Sequence, residues 1–201
     1  ILRLYEEYGH DSINRLNGMF AFLIYDKPRQ QLIAARDHFG IKPLYYYQDG
    51  NKWVFASEIK ALLKHSDIQA SVNREALTDY LTFQFILGEE TLFQNIKKFM
   101  PGRYMVINLY TFEHESVNYW SPNFSVDKFH TERYFTHHLR NLVEDSVRMQ
   151  LRSDVALGSY LSGGIDSSLI TGIASQFLDK SLPVFSGAFN EGPEFSEMQY
   201  V

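Results

Sequence analysis

Cysteine is absent from all 201 residues. Disulfides, cysteine-based metal sites and a thiol nucleophile are thereby excluded within this chain. Long apolar runs are missing too: nothing approaches a membrane span, and no signal-peptide pattern opens the sequence. A soluble, cytoplasmic protein without a membrane partner is expected. Basic residues are few, with 19 Lys and Arg against 24 Asp and Glu and a formal net charge of −5. That balance, with no long basic run, argues against a nucleic-acid partner. The histidines, His10, His38, His65, His114, His130, His137 and His138, show no metal-ligand spacing such as HExxH. Adjacent His137 and His138 cannot face one ion from a helix. No internal repeat or low-complexity segment occurs.

What the chain does have is enough apolar material for a sizeable core, 45% hydrophobic and 15% aromatic residues, in a length that suits one large domain or two small ones. It also has one stretch with chemical character, Leu161-Ser162-Gly163-Gly164-Ile165-Asp166-Ser167-Ser168. Before it, Val155 to Leu161 is short and apolar enough for a buried strand. After it, Leu169, Ile170, Ile173, Phe177 and Leu178 fall at helical spacing. A strand, a glycine turn and a helix N-terminus aim backbone N–H groups and the positive end of the helix dipole at one spot, where an anion is stabilised. Gly163 and Gly164 let a ligand approach the backbone closely. The loop is not of the Walker type, which ends in Gly-Lys-Ser/Thr, because no Lys lies within it.

The rest of the chain falls into two styles. Residues 1–8 run in helical rhythm with Ile1, Leu4, Tyr5 and Tyr8 on one stripe, and Gly9 offers a stop. No capping residue precedes Ile1 and no stop signal follows Phe195 to Val201, so the whole is read as an internal segment of a longer protein. Met19 to Tyr25 is almost continuously apolar, as in a strand covered on both faces. Gln31 to Arg36 returns as a second strand, and Pro43–Tyr47 with Lys52–Ala56 reads as a hairpin through Asp49-Gly50-Asn51. Ser57 is the expected cap of a short helix over 58–64, Asn73 of one over about 74–85, and Tyr104 to Leu109 is a further strand. Mainly antiparallel pairing follows from the short strands and polar turns. Trp120 to Asp127 is the most linker-like stretch. Beyond it, Phe135, Leu139, Leu142, Val143, Val147 and Leu151 trace an amphipathic helix. Helix, strand, loop, helix and then the apolar strand Pro183–Phe189 form an alternating α/β pattern, which predicts a parallel sheet with ligands beyond the carboxyl ends of its strands.

The loop resembles the SGGxDS loop of the ATP pyrophosphatase family. The first half is similar to the later part of a class II glutamine amidotransferase domain through Leu16-Asn17-Gly18-Met19-Phe20-Ala21-Phe22, Ala35-Arg36-Asp37-His38-Phe39-Gly40-Ile41-Lys42-Pro43-Leu44-Tyr45-Tyr46 and Phe55-Ala56-Ser57-Glu58-Ile59-Lys60-Ala61-Leu62. In that order the two groups resemble the glutamine-hydrolysing asparagine synthetases. The implied fold is α/β: the C-terminal part of an N-terminal-nucleophile αββα amidotransferase domain over residues 1–122, then the start of a parallel-sheet ATP pyrophosphatase (adenine nucleotide α-hydrolase-like) domain over residues 123–201.

The resemblance implies a ligase of amino-acid biosynthesis. Glutamine is split to ammonia in the first domain; in the second, ATP converts aspartate to a β-aspartyl-adenylate, pyrophosphate leaves, and ammonia gives asparagine and AMP. L-aspartate, L-glutamine and ATP would be the substrates, with Mg²⁺ as cofactor, and the reading leaves room for a homodimer. By resemblance Ser162, Gly163, Gly164, Ile165, Asp166, Ser167 and Ser168 hold the pyrophosphate portion, while Leu161 and Gly187 line the adenine and ribose side. Gly187 also reads as a packing residue in a strand. Asp166 is awkward beside an anion, so its carboxylate is assigned either to Mg²⁺ or to capping the helix. The family's cysteine nucleophile and its glutamine-binding residues have no counterpart here, so no catalytic residue is assigned and the segment alone is expected to be inactive. Arg36, Asp37 and Lys42 are candidates for catalysis. The preferred reading is a buried Arg36–Asp37 ion pair that holds a loop. Ala156 stands where the family commonly has Pro. Two rivals are an amidotransferase-like synthetase with another acceptor, of the β-lactam synthetase or lasso-peptide cyclase type, and a non-catalytic nucleotide-binding module.

Overall fold

The computed structural model describes residues 1–178 and 180–188. The chain divides into two compact units, the first from Ile1 to Phe124 and the second from Ser125 onward.

The first unit opens with α1 (Leu2–Tyr8), which Gly9 ends at φ 56°, and a 3-10 helix over Gly9–Arg15. Then come β1 (Ala21–Asp26), β2 (Gln31–Arg36), β3 (Tyr45–Asp49), β4 (Lys52–Ala56), α2 (Ile59–Leu62), α3 (Arg74–Phe83), β5 (Ile96–Lys98), β6 (Arg103–Asn108) and β7 (His114–Asn118). Two antiparallel sheets result, ordered β1-β2-β6-β7 and β4-β3-β5. Side chains alternate across a strand, so the register decides what each sheet face presents. On one face, Ala34 opposite Met105 and Leu32 opposite Ile107 meet Tyr46, Trp53 and Phe55 of the second sheet. On the other, Ile33 opposite Ile24 and Val106 packs with Tyr5 of α1 and Ile13 of the 3-10 helix. The far face of the second sheet puts Tyr47, Val54 and Ile96 against Ile59 and Leu62 of α2. The layers therefore run helix, sheet, sheet, helix.

Two expectations need correcting, and two strands went unpredicted. β1 is an edge strand with Leu23 and Tyr25 exposed, so its apolar run is covered on one face only. The cap of α2 is Glu58 and not Ser57, because the helix begins one residue later. β5 and β7 gave no periodic signal: β5 has three residues, two of them Lys, and β7 has one half-buried position, Val117. Asn73 does cap α3, its side chain accepting from Ala76 N at 3.2 Å.

The second unit contains α4 (Glu132–Gln150), capped by Thr131, then β8 (Ser159–Tyr160), α5 (Ile165–Gln176) and β9 (Val184–Phe185). β8 and β9 pair in parallel, Ser159 opposite Val184 and Tyr160 opposite Phe185. Val147 of α4 packs on Ile173 and Ala174 of α5, with Val143, Leu151 and Leu182 around them. The strand expected over 155–161 shrinks to two residues, since Val155 is exposed and finds no partner strand. Phe189 of the expected last strand lies outside the described residues. No helix among the described residues is long and apolar enough to cross a membrane.

Candidate functional site

The glycine loop joins the end of β8 to the start of α5. Leu161 N donates to Phe185 O at 3.0 Å, the last rung of the parallel ladder, and the chain then leaves the sheet. Gly163 takes φ 90°, a backbone that side chains rarely adopt, and Gly164 becomes the N-cap of α5. With no side chain at the cap, the first-turn N–H groups of Ile165, Asp166 and Ser167 receive no side-chain acceptor. The helix end thus presents N–H donors and positive dipole, as the sequence pattern predicted.

The hydroxyls of the loop are tied to one another. Ser167 Oγ donates to Gly164 O at 3.1 Å and accepts from Ser162 N at 3.2 Å. Ser162 Oγ lies 3.0 Å from Ser167 Oγ and accepts from Gly164 N at 3.4 Å. If Ser167 spends its proton on Gly164 O, Ser162 must be the donor to Ser167. A closed ring of hydrogen bonds therefore holds the turn in shape. Both hydroxyl protons are spent within the ring, so Ser162 and Ser167 must turn them outward to donate to an entering anion, each by rotation about a single bond.

Asp166 is exposed at the second position of α5 and does not cap it, so the capping alternative falls; its charge instead complements the dipole from the first turn. No group of three or more metal-ligating side chains occurs among the described residues. A single exposed carboxylate beside a turn that presents N–H donors fits the donor set of Mg²⁺, which is commonly held by one or two carboxylates together with ligand phosphates and water. Leu161 and Gly187 come to adjacent strand ends, because Ser186 Oγ donates to Leu161 O at 2.6 Å. A Cβ built at Gly187 meets no described atom within 4 Å, so close packing does not impose glycine there.

Sequence reasoning passed over Ser159, Thr171 and Ser186. Ser159 Oγ lies 2.7 Å from Thr171 Oγ1. A signal existed: Thr171 follows Ser167 by one helical turn and must share its face.

The first unit's Arg36, Asp37 and Lys42 meet in a second constellation. Arg36 and Asp37 do not pair with each other. Arg36 donates to three carbonyls, those of Lys42 at 2.8 Å, Phe99 at 2.5 Å and Gly40 at 2.7 Å. Asp37, 1% exposed, accepts N–H bonds from Phe20, Phe39, Ile41 and Lys42 at 3.3, 3.2, 2.9 and 3.0 Å. Burial pulls its carboxyl upward, but those four donors outweigh it and hold the group below the usual carboxylate range. Gly102 N donates to Asp37 O at 2.9 Å, and Gly102 O accepts from Tyr119 and Trp120. A Cβ at Gly102, where φ is 63°, would lie 2.5 Å from Trp120 O. The Tyr119 hydroxyl donates to Arg36 O, and burial together with the Asp37 charge pushes its pKa up to about 12. All these groups are consumed in fixing one turn, which is structural work. Lys42 contributes backbone atoms to it.

Residues 1–120 match the glutamine amidotransferase domain family, and residues 138–201 match the asparagine synthase family. The chain is 40% identical over 202 residues to asparagine synthetase (glutamine-hydrolyzing) 1 of Bacillus subtilis, covering 98% of this chain and 30% of that protein. Against asparagine synthetase (glutamine-hydrolyzing) 3 of the same organism it is 37% identical over 187 residues, covering 90% and 29%. It is also 37% identical over 182 residues to amidase chry2 of Gibberella zeae, covering 89% and 26%. The chain spans well under half the length of the curated relatives it matches, 39% at most among these and the first of them.

Proposed function

Because the chain belongs to the glutamine amidotransferase domain family, we propose that it is part of a glutamine-hydrolysing asparagine synthetase. The four-layer first unit is read as part of an N-terminal-nucleophile domain over residues 1–122, and residues 123–201 as the start of an ATP pyrophosphatase domain. In the whole protein, glutamine-derived ammonia and ATP would convert aspartate to asparagine through a β-aspartyl-adenylate, with AMP and pyrophosphate released in the cytoplasm. The observation that carries this reading is the uncapped N-terminus of α5 behind the Ser162–Ser167 hydroxyl ring.

An aspartate carboxylate is a poor electrophile until its oxygen is made a good leaving group, and adenylation by ATP supplies that. Attack at the α-phosphate builds charge on the departing pyrophosphate. The N–H groups of Gly163, Gly164, Ile165 and Asp166 and the hydroxyls of Ser162, Ser167 and Ser168 are the donors that would stabilise it. Asp166 would take Mg²⁺, whose charge offsets that of the phosphates, and Leu161 and Gly187 would border the nucleoside. A homodimer is compatible with this reading.

The test is pyrophosphate–ATP exchange by the full-length protein. Exchange that depends on aspartate is expected. Exchange dependent on a different amino acid or carboxylate moves the assignment to another acceptor, a second reading favoured by the similarity to a protein named an amidase. Absence of exchange with every acceptor tried leaves a nucleotide-binding module. The 201 residues alone, lacking any cysteine, are expected to show no glutaminase turnover above background, since the family's nucleophile is a thiol.

A further inference from the structure

The loop is only as well placed as the strand that delivers it, and β8 is two residues long. Backbone pairing to β9 supplies Ser159 N to Pro183 O at 2.9 Å and Leu161 N to Phe185 O at 3.0 Å. A run that short is weak by itself. Two hydroxyls outside the glycine motif reinforce it from opposite sides. On the helix side, Thr171 Oγ1 meets Ser159 Oγ at 2.7 Å in a half-buried contact, tying β8 to the second turn of α5. On the sheet side, Ser186 Oγ donates to Leu161 O at 2.6 Å, adding a rung where the described ladder has ended.

The two bonds bracket the residue before the loop. Ser159 is held two positions upstream of Leu161, and the Leu161 carbonyl belongs to the same peptide group as Ser162 N. That N–H is the one that enters the hydroxyl ring through Ser167. Fixing the Leu161–Ser162 peptide plane therefore fixes where the ring starts, while Thr171 fixes the distance between the two arms of the turn. Each hydroxyl is engaged with an atom of β8 or the residue after it, Ser159 Oγ or Leu161 O, so neither has to be an anion ligand to act on the loop.

We infer that Ser186 and Thr171 are positioning residues that clamp the strand entry and helix exit of the loop, and so set its affinity for the phosphates of ATP; this rests on the loop's role proposed above. Removing Ser186 Oγ takes a donor from the Leu161 carbonyl and frees its peptide plane, and removing Thr171 Oγ1 leaves Ser159 Oγ only its longer contact to Tyr160 O at 3.5 Å. The binding of phosphate groups should suffer while the acceptor site is untouched.

The experiment uses the full-length protein with Ser186→Ala, Thr171→Val and the rescue variants Ser186→Thr and Thr171→Ser. Amide exchange of the ligand-free protein, followed by mass spectrometry over residues 159–168, should speed up by about three- to tenfold in the first two variants, the net worth of one hydrogen bond. In pyrophosphate–ATP exchange, KM for ATP and for pyrophosphate should rise by about five- to tenfold with KM for aspartate unchanged, and the rescue variants should return towards wild type. Wild-type amide exchange and wild-type KM values in Ser186→Ala and Thr171→Val overturn the inference. A rise in KM for aspartate equal to that for ATP overturns it too, because that marks general loosening. Lack of catalytic exchange in the wild-type protein sinks the assigned reaction, and amide exchange then decides the clamp by itself.

Discussion

Replacing Asp37 by Ala is expected to lower the stability of the first unit by about 3–5 kcal/mol, because four backbone donors lose their shared acceptor in a buried place. The carboxylate gathers N–H groups from Phe20, Phe39, Ile41 and Lys42, so it ties the segment before β1 to the turn after β2. Water entering the space would recover some of these bonds, which is why the effect stays well below the sum of four separate losses. Both tryptophans of the chain, Trp53 and Trp120, lie in the first unit, so denaturant unfolding followed by their fluorescence reports on it selectively. Trp120 is also close to the change, stacked on His38 at 4.9 Å. A midpoint within the error of wild type would show that the turn does not depend on this carboxylate.

The same group makes a pH prediction with a definite sign. Its folded pKa lies below the ordinary value, so its stabilisation is present above the unfolded pKa of about 3.9 and is lost as pH falls through the lower, folded one. The unfolding midpoint should therefore drop on acidification below about pH 4. In Asp37→Asn the drop should be shallower and the neutral-pH midpoint lower, since the amide presents an NH2 group, two donors, where only acceptors fit. Asp26, which accepts from Arg29 and Tyr5 and is also depressed, first by the Arg29 backbone N–H, supplies part of the remaining slope.

The two constellations differ in how far the sequence disclosed them. The glycine loop was legible because its constraints are local: a strand, a left-handed glycine and a helix start follow one another along the chain, and each leaves a residue-type mark. The Arg36–Asp37 turn was legible in location but not in wiring. Adjacent opposite charges suggest a pair, yet successive side chains point apart, and each found backbone partners from segments as distant as Phe20 and Phe99. Such partners are C=O and N–H groups that every residue carries, so no side-chain pattern announces them. The same reason hid β5 and β7, which are held by ladder bonds to β3 and β6 and carry one fully buried side chain, Ile96, between them. The β1 run misled because apolar content signals burial without saying on how many faces. Ser186 was missed for a different cause: its partner depends on where β9 ends beside β8, a fact of tertiary register, while Thr171 showed its helix face but not the strand residue, Ser159, that meets it.

Substituting Gly163 by Val in the full-length protein should lower pyrophosphate–ATP exchange by about a hundredfold or more, the scale seen when a preorganised donor is lost from a site that stabilises developing charge. Gly163 sits at φ 90°, a region closed to β-branched residues, so the backbone must move rather than the side chain adapt. The movement falls between Ser162 and Gly164, the two residues whose atoms close the hydroxyl ring with Ser167. Turning that peptide would swing the Gly164 N–H away from Ser162 Oγ and displace the start of α5, so several donors lose their common focus at once. Gly163→Ala asks for the same backbone with a single methyl, and its exchange rate should fall between wild type and the Val variant. The damage should stay in the second unit, leaving the tryptophan unfolding midpoint at its wild-type value, the reverse of what Asp37→Ala does. Exchange within about threefold of wild type in Gly163→Val would remove the loop from the phosphate site, since that is less than one lost donor costs.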